Sequence, residues 1–236
     1  ITAKIKGGGG TNMVIAQETT ELAKIIKGRR SIRNWQDKPV PEELLLSAIE
    51  LATWAPNNGN RQNWRFYLVT NSQVINSIAD AVDAAVEEIN SWPEMVKIAR
   101  PRPEGAPPPR KPGYFRQAPA LIMVATSRVQ TPQDQALEER GKNDPRAAQV
   151  REWRNSVNPI IQSADSAISH LLLALHQAEL GAVWLHGPLQ AKGEIEKIIN
   201  LPPEMDIHAF IPVGYPDEAP ETKGRNPVAE VCEIIR

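Results

Sequence analysis

Apolar runs of strand character, separated by helical segments of uneven length, predict a domain of the α/β or α+β class. The runs are WRFYLVT (64–70), APALIMVAT (118–126), AVWLHGP (182–188) and IHAFIPVGYP (207–216). Between them, Pro159 to Leu180 carries Ile160, Ile161, Ala164, Ile168, Leu171, Leu172, Leu175 and Ala178 at helical spacing. Leu173 and Ala174 widen that stripe, which predicts burial on most sides. No internal repeat is present, which excludes solenoids and propellers.

The remaining elements follow in order. Glu18 to Lys27 reads as a first helix, with Thr19 or Thr20 as cap, Leu22, Ile25 and Ile26 as its stripe and Gly28 as its stop. Pro41 opens a second helix at its first position, with Glu42 and Glu43 in the first turn. Its predicted core face is Leu44, Leu45, Ala48, Leu51 and Ala52, and it ends near Trp54, before Pro56. The polar loop PNNGNRQN follows. WRFYLVT is apolar on both faces apart from Arg65, which predicts a strand inside a sheet. A helix runs from Ser72 to Asn90. Seven prolines between residues 92 and 113 predict no regular element there. Residues 128–157 are polar, with Trp153 in a short helix. Gly181 stops the long helix, and Ala191 to Ile199 forms a short one. The tail from Pro220 is proline-punctuated, then apolar at Val228, Val231 and Ile234.

Composition narrows the function classes. A chain of 236 residues buries a sizeable core, as one large domain or two small ones. Its 41% hydrophobic and 23% charged residues are ordinary globular values, and a net charge of -1 gives no global drive toward nucleic acid or acidic membranes. No apolar run reaches the roughly 18–20 residues needed to span a bilayer. No charged-then-apolar leader pattern is visible. The single cysteine, Cys232, excludes an intrachain disulfide framework and a multi-cysteine metal site. These features predict a cytoplasmic protein. The opening ITAKIKGGGGTN reads as a linker or cloning remnant, with Met13 as a candidate native start. Residues 1–14 are therefore expected to be a linker or disordered terminus, and residues 15–236 a single domain.

Four short stretches are candidate sites. RRSIRNW (29–35) holds three arginines and a serine with no acid. Guanidinium groups match phosphate oxygens, and in an extended segment Arg29 and Arg33 point the same way. A basic surface patch is the competing reading. PNNGNRQNW (56–64) offers the carboxamides of Asn57, Asn58, Asn60, Gln62 and Asn63, which suit a heteroaromatic ring with alternating donors and acceptors. An ordinary Asn-Gly turn also explains it. WLHGP (184–188) places a glycine where backbone amides can approach a ligand, and a plain loop is its alternative. TKGR (222–225) brings Lys and Arg together beside Gly, either for a phosphate or as solvated charge. Neither GxGxxG nor a Walker loop occurs, and GxSxG is missing. His170, His176, His186 and His208 lack metal-ligand spacing. The basic proline-rich stretch at Arg100, Arg102, Arg110, Lys111 and Arg116 reads as an exposed loop.

The four stretches stand in a fixed order. RRSIR, APNNGNRQNWRFYLV, LGAVWLHGP after a long apolar helix, and IPVGYPDEAPETKGR together resemble the FMN-dependent nitroreductase family, over about residues 20–235. The resemblance implies an α+β fold with a central, mostly antiparallel sheet flanked by helices, in an intertwined homodimer with FMN at its interface. Arg29, Arg30 and Ser31 would hold the phosphate and ribityl chain, and Lys223 and Arg225 would return to the phosphate. Arg33 would lie near the pyrimidine edge, where a positive charge stabilises the reduced flavin. Pro56, Asn57, Asn58 and Asn60 would come from the partner subunit. Leu185, His186 and Gly187 would present backbone amides at flavin N5, and the long helix would form the dimer core. Asn57-Asn58 stands where relatives often carry Ser-Ser, and Gln62-Asn63-Trp64 where Gln-Pro-Trp is usual.

The implied activity moves a hydride from NADH or NADPH to flavin N5 and then to a nitroaromatic, a quinone or a similar small-molecule acceptor. The flavin carries the chemistry, so no catalytic side chain and no metal is required, and residues 90–117 and 128–157 would cover the flavin. The alternatives are reductive dehalogenation or flavin-consuming oxidation on the same scaffold, and a non-enzymatic anion-binding protein.

Overall fold

The computed structural model of the chain describes residues 20–98, 105, 108–127 and 130–236. The expected terminal linker at 1–14, the candidate cap Thr19, Arg100 and Arg102 lie outside the described residues.

Helix α1 spans Glu21–Gly28, and the Thr20 hydroxyl caps it by accepting from Ala23 N at 3.2 Å. Helix α2 spans Glu42–Thr53. Pro41 immediately precedes it rather than occupying its first turn, because its backbone is extended (φ -56°, ψ 132°). Strand β1 spans Trp64–Val69, α3 Ser72–Ser91, α4 Pro93–Ile98 and β2 Ala120–Ser127. Helix α5 spans Pro132–Arg140, α6 Pro145–Val157 and α7 Pro159–Gln177. The chain continues through β3 (Gly181–Ala182), α8 (Lys192–Ile198), β4 (Met205–Gly214) and α9 (Val228–Val231).

The sheet has the order β1-β2-β4-β3 and every pairing is antiparallel. Helices cover both of its faces, and because the sheet is antiparallel the class is α+β. On one face α2 and α7 pack over Ile122 and Val124 of β2 and Ala209, Ile211 and Val213 of β4. On the other, α3, α8 and Phe115 cover Leu121, Met123, Ile207 and Phe210. A β-bulge sits between these faces: Val124 pairs with Ala209 but Ala125 with Ile207, leaving His208 as the extra residue.

Several expectations are corrected. β1 is an edge strand, paired with β2 alone among the described residues, not an interior one. Its two-faced apolar pattern reflects the two layers instead: Phe66 and Leu68 pack into one core, Tyr67 and Val69 into the other. The region 92–113 contains the regular helix α4, and a short 3-10 turn starts at Pro112, because proline disrupts helix interiors but fits a first turn. Residues 128–157 hold two full helices rather than a short one. Their polarity hides them from a periodicity reading, but Thr131 and Asp134 form a reciprocal capping box on α5 and Asp144 caps α6. Leu44 and Leu51, expected in the core, are 37% and 46% exposed, and the buried stripe of α2 is Leu45, Ala48 and Ala52.

Candidate functional site

RRSIRNW leaves α1 as an extended strap along β3. Ser31 pairs in parallel with Ala182, and Ile32 N donates to Ala182 O at 3.1 Å. Trp35 Nε1 donates to Gly181 O at 2.8 Å. Gly181 is required there, since a Cβ would stand 2.8 Å from the Ile32 side chain. Gln36 N donates to Tyr215 O at 2.9 Å and Asp217 N to Asn34 O at 3.0 Å, tying the strap to the chain beyond β4. Ile32 and Trp35 are buried, so the intervening arginines are left outside.

Arg29 is half-buried. Burial first, then the charges of Arg225 and Arg30, disfavour its protonated form and lower its pKa. Arg29, Arg30, Lys223 and Arg225 form no ion pair among the described residues. Arg29, Arg225 and Arg30, gathered without an ion-paired carboxylate among the described residues, repel one another, and an anion relieves that repulsion. Arg30 differs from its neighbour. Its Nη1 donates to Lys27 O at 2.7 Å, Gly28 O at 3.2 Å and Arg29 O at 2.9 Å, closing the C-terminus of α1. His176 on α7 completes the cluster. Its Nε2 would stand 3.0 Å from a Cβ at Gly28, and burial, then Arg29 and Arg30, lower its pKa.

Arg33 stands further along the strap, exposed. Its backbone N–H donates to the Glu218 carboxylate, which also accepts from Asn34 Nδ2 at 2.8 Å. Arg110 Nη1 donates to Arg33 O at 2.8 Å and Asn34 Oδ1 at 2.9 Å, while its guanidinium lies 4.7 Å from the Tyr114 ring centroid. Tyr114 stacks on Trp35 with centroids 6.3 Å apart. Burial raises the Tyr114 pKa, with Arg33 and Arg110 opposing that rise. Sequence reading missed Glu218, Tyr114 and His176, and assigned Arg110 only to an exposed loop.

After β3, Leu185 N donates to Phe210 O at 2.8 Å, so that amide belongs to the sheet. The amides of His186 and Gly187 form no hydrogen bond with described residues. A Cβ at Gly187 would meet open space, so no contact within the chain demands glycine there. Trp184 stacks on His186 with centroids 5.4 Å apart, and its Nε1 is buried without a partner among the described residues. Behind this segment, the bulge turns His208 toward Thr126, whose Oγ1 lies 2.6 Å from Nε2. Asp165 on α7 faces the same two histidines. Burial raises its pKa, and His186 and His208 oppose that rise.

The amide loop is partly an ordinary turn. Asn57 Oδ1 accepts from Gln62 N at 3.0 Å, and Gln62 Nε2 donates to Asn60 Oδ1 at 3.2 Å. Gly59, Asn60 and Gln62 have positive φ, the conformation that Gly and Asn tolerate. Pro56, Asn58 and Asn60 are nevertheless exposed. Asn58 N donates to Ser163 Oγ at 3.2 Å, near the start of α7, whereas His176 and the arginines sit at its other end. Thirteen residues separate Ser163 from His176, about 20 Å of helix. One chain therefore brings Arg29, Arg30, His176 and Arg225 together, but keeps the amide loop away from them.

This architecture is shared with known proteins. Residues 26–215 match the Nitroreductase family. YfhC of Bacillus subtilis (strain 168), whose name assigns it provisionally as an NAD(P)H nitroreductase, is 26% identical over 209 residues, covering 89% of this chain and 91% of its own. A BluB-like flavoprotein from Clostridium difficile 630 superposes with a TM-score of 0.75 at 24% identity, over 92% of this chain and 100% of its own. Iodotyrosine deiodinase bound to FMN and 3-iodo-L-tyrosine superposes with a TM-score of 0.65 at 25% identity, over 91% and 97%. With the strap, the sheet order and a match across most of its length, the chain belongs to the nitroreductase family.

Proposed function

We propose that the protein is an FMN-dependent oxidoreductase that takes a hydride from NAD(P)H and passes it to a nitroaromatic, a quinone or a similar acceptor. The observation that carries this reading is Arg29, half-buried beside Arg225 and Arg30, with no carboxylate ion-paired to them among the described residues. A phosphate monoester supplies the missing charge, and no dinucleotide fingerprint calls for FAD. Arg29, Ser31, Lys223 and Arg225 hold the phosphate end, and His176 joins them. Arg30 contributes through its charge while its guanidinium closes α1. Arg33 faces the pyrimidine edge, with its backbone held by Glu218. The unengaged amides of His186 and Gly187 donate at N5, and the open space over Gly187 leaves room for the ring. FMN bound there supplies a two-electron carrier.

Pro56, Asn57, Asn58 and Asn60 come from a second copy in this reading. Two features support a homodimer: the roughly 20 Å between the amide loop and the arginines along α7, and the exposure of Leu46 (54%) and Trp54 (77%) on and just after α2. No described helix is long and apolar enough to cross a membrane, and we place the protein in the cytoplasm. Reductive dehalogenation is the second reading, favoured by the likeness to iodotyrosine deiodinase. Purified protein is expected to be yellow, to release FMN, and to bleach with NADH or NADPH under anaerobic conditions. Stoichiometric FAD, or no flavin after reconstitution, overturns the proposal. Reoxidation by a haloarene with halide release, but not by a nitroarene, selects the second reading.

A further inference from the structure

We propose that a cleft between the amide loop and the starts of α5 and α7 is a carboxylate subsite, which selects acceptors bearing an anionic group on an aromatic ring. The cleft has a volume of about 330 Å³, at the lower end of the roughly 300–1,000 Å³ typical of small-molecule sites.

Three features make it a place for an anion. Arg61 lines it and forms no ion pair among the described residues. Asn63 lines it as well, and its Nδ2 is buried with no partner among the described residues, a donor open to an acceptor. Two helices begin at its wall, α5 at Pro132 and α7 at Pro159, which brings the positive ends of two helix dipoles to its edge, that of α5 partly offset by Asp134 in its first turn. Two acids lie near it: Glu138 accepts from Gln130 Nε2 at 3.2 Å, and Asp134 is turned to other partners. It accepts from Thr131 Oγ1 at 2.6 Å and from Arg154 Nη2 at 2.7 Å, and the Thr131 and Arg154 hydrogen bonds hold its pKa down at about 2. Its charge is thus matched by Arg154 and leaves Arg61 unpaired.

The walls decide between anions. Pro132, Pro159 and Ile160 are apolar and suit the face of a ring better than a hydrated inorganic ion. A guanidinium takes both oxygens of a carboxylate, whereas a carboxamide offers it one neutral acceptor. The inference rests on the proposed function for its purpose: Asn58, assigned to the partner's flavin, also lines the cleft. A carboxylate at Arg61 then anchors an acceptor whose ring extends toward that flavin.

The test uses purified protein with its FMN content measured separately from the absorbance of denatured samples. Binding of benzoate, benzamide and inorganic phosphate is measured by calorimetry for the wild type, Arg61→Ala and Arg61→Lys. An ionic hydrogen bond exceeds a neutral one by enough that benzoate is expected to bind about tenfold more tightly than benzamide. Arg61→Ala should abolish that preference, and Arg61→Lys should retain part of it. Equal binding of benzoate and benzamide, or a preference unchanged in Arg61→Ala, overturns the subsite. Phosphate binding more tightly than benzoate overturns the carboxylate assignment. Protein that lacks FMN yet prefers benzoate through Arg61 supports the subsite and sinks the flavin reading. Flavin-loaded protein without the preference sinks the subsite alone.

Discussion

Replacing Arg29 by alanine separates a binding residue from a structural one. In the free protein its charge is disfavoured by burial and by Arg225 and Arg30, so its loss relieves repulsion. The apoprotein of Arg29→Ala should therefore melt at the wild-type temperature or above it. With FMN the sign reverses. An ionic hydrogen bond to phosphate contributes roughly 1.5–3 kcal/mol, so FMN affinity should fall about ten- to a hundredfold. At a fixed FMN concentration well above both dissociation constants, the ligand-dependent stabilisation then drops by about 1.4–2.7 kcal/mol. For a chain of this size each kcal/mol moves the melting temperature by about 2–4 °C, so the FMN-dependent gain should shrink by about 3–11 °C. Differential scanning fluorimetry with and without FMN reads both quantities. Arg30→Ala is the contrast: losing the group that closes α1 should lower both melting curves. If Arg29→Ala lowers the apoprotein's melting temperature and leaves the FMN-dependent gain intact, Arg29 is structural and the phosphate assignment fails.

Three further outcomes follow from the same geometry. Arg33→Ala should lower the flavin midpoint potential by a few tens of millivolts, since about 30 mV corresponds to 1.4 kcal/mol for two electrons; dye equilibration showing the shift in Arg29→Ala instead would reverse the two roles. His176 has its pKa lowered by burial and by Arg29 and Arg30, so its contribution to stability is full above its unfolded pKa and is lost as pH falls through the folded value. Phosphate beside the arginines raises that pKa again, so FMN binding should take up protons on the acid side of neutrality, and calorimetry in buffers of different ionisation enthalpy showing none would refute the placement. Trp54→Glu, at an exposed apolar position after α2, should turn a dimer into a monomer by light scattering, and a flavin-loaded wild-type monomer at micromolar concentration would remove the dimer altogether.

What was legible in the sequence was local. The helical spacing of α7, the prolines and glycines at element ends and the acid-free arginine strap all announce themselves within a few neighbouring residues. The capping box Thr131–Asp134 was equally local, but α5 lacks an apolar stripe, so periodicity gave no reason to look for it. The partners of the strap were not legible. Glu218 reaches Arg33 across 185 residues of chain and Arg110 reaches it across 77, and nothing near either residue marks that contact. His176 was visible only as a histidine on a long helix. Its place beside Arg29 depends on how α1 crosses the end of α7.

Apolar spacing shows that a side chain avoids water without saying which body covers it, and this matters most for the interface. The width of the α7 stripe pointed to a dimer core on that helix. In the fold, Ala164, Ile168, Leu171, Leu172 and Leu175 are covered by the chain's own sheet and α2. Exposed large apolar side chains occur instead on α1 and α2, at Leu22, Ile26, Leu44, Leu46 and Leu51, and at Trp54 beyond, as well as on α4, α6 and the C-terminal segment. Leu44 and Leu51, core positions by their spacing, are exposed in a single chain, which is the pattern of a face finished by another molecule. In the proposed homodimer, a second copy packed against Leu44 and Leu51 would account for them, and it would also supply an amide loop that one chain holds about 20 Å from its own arginines. Two deficits of the single chain, one in packing and one in the site, are met by the same addition, so a substitution that breaks the α2 face should also weaken FMN binding without touching a residue that contacts it.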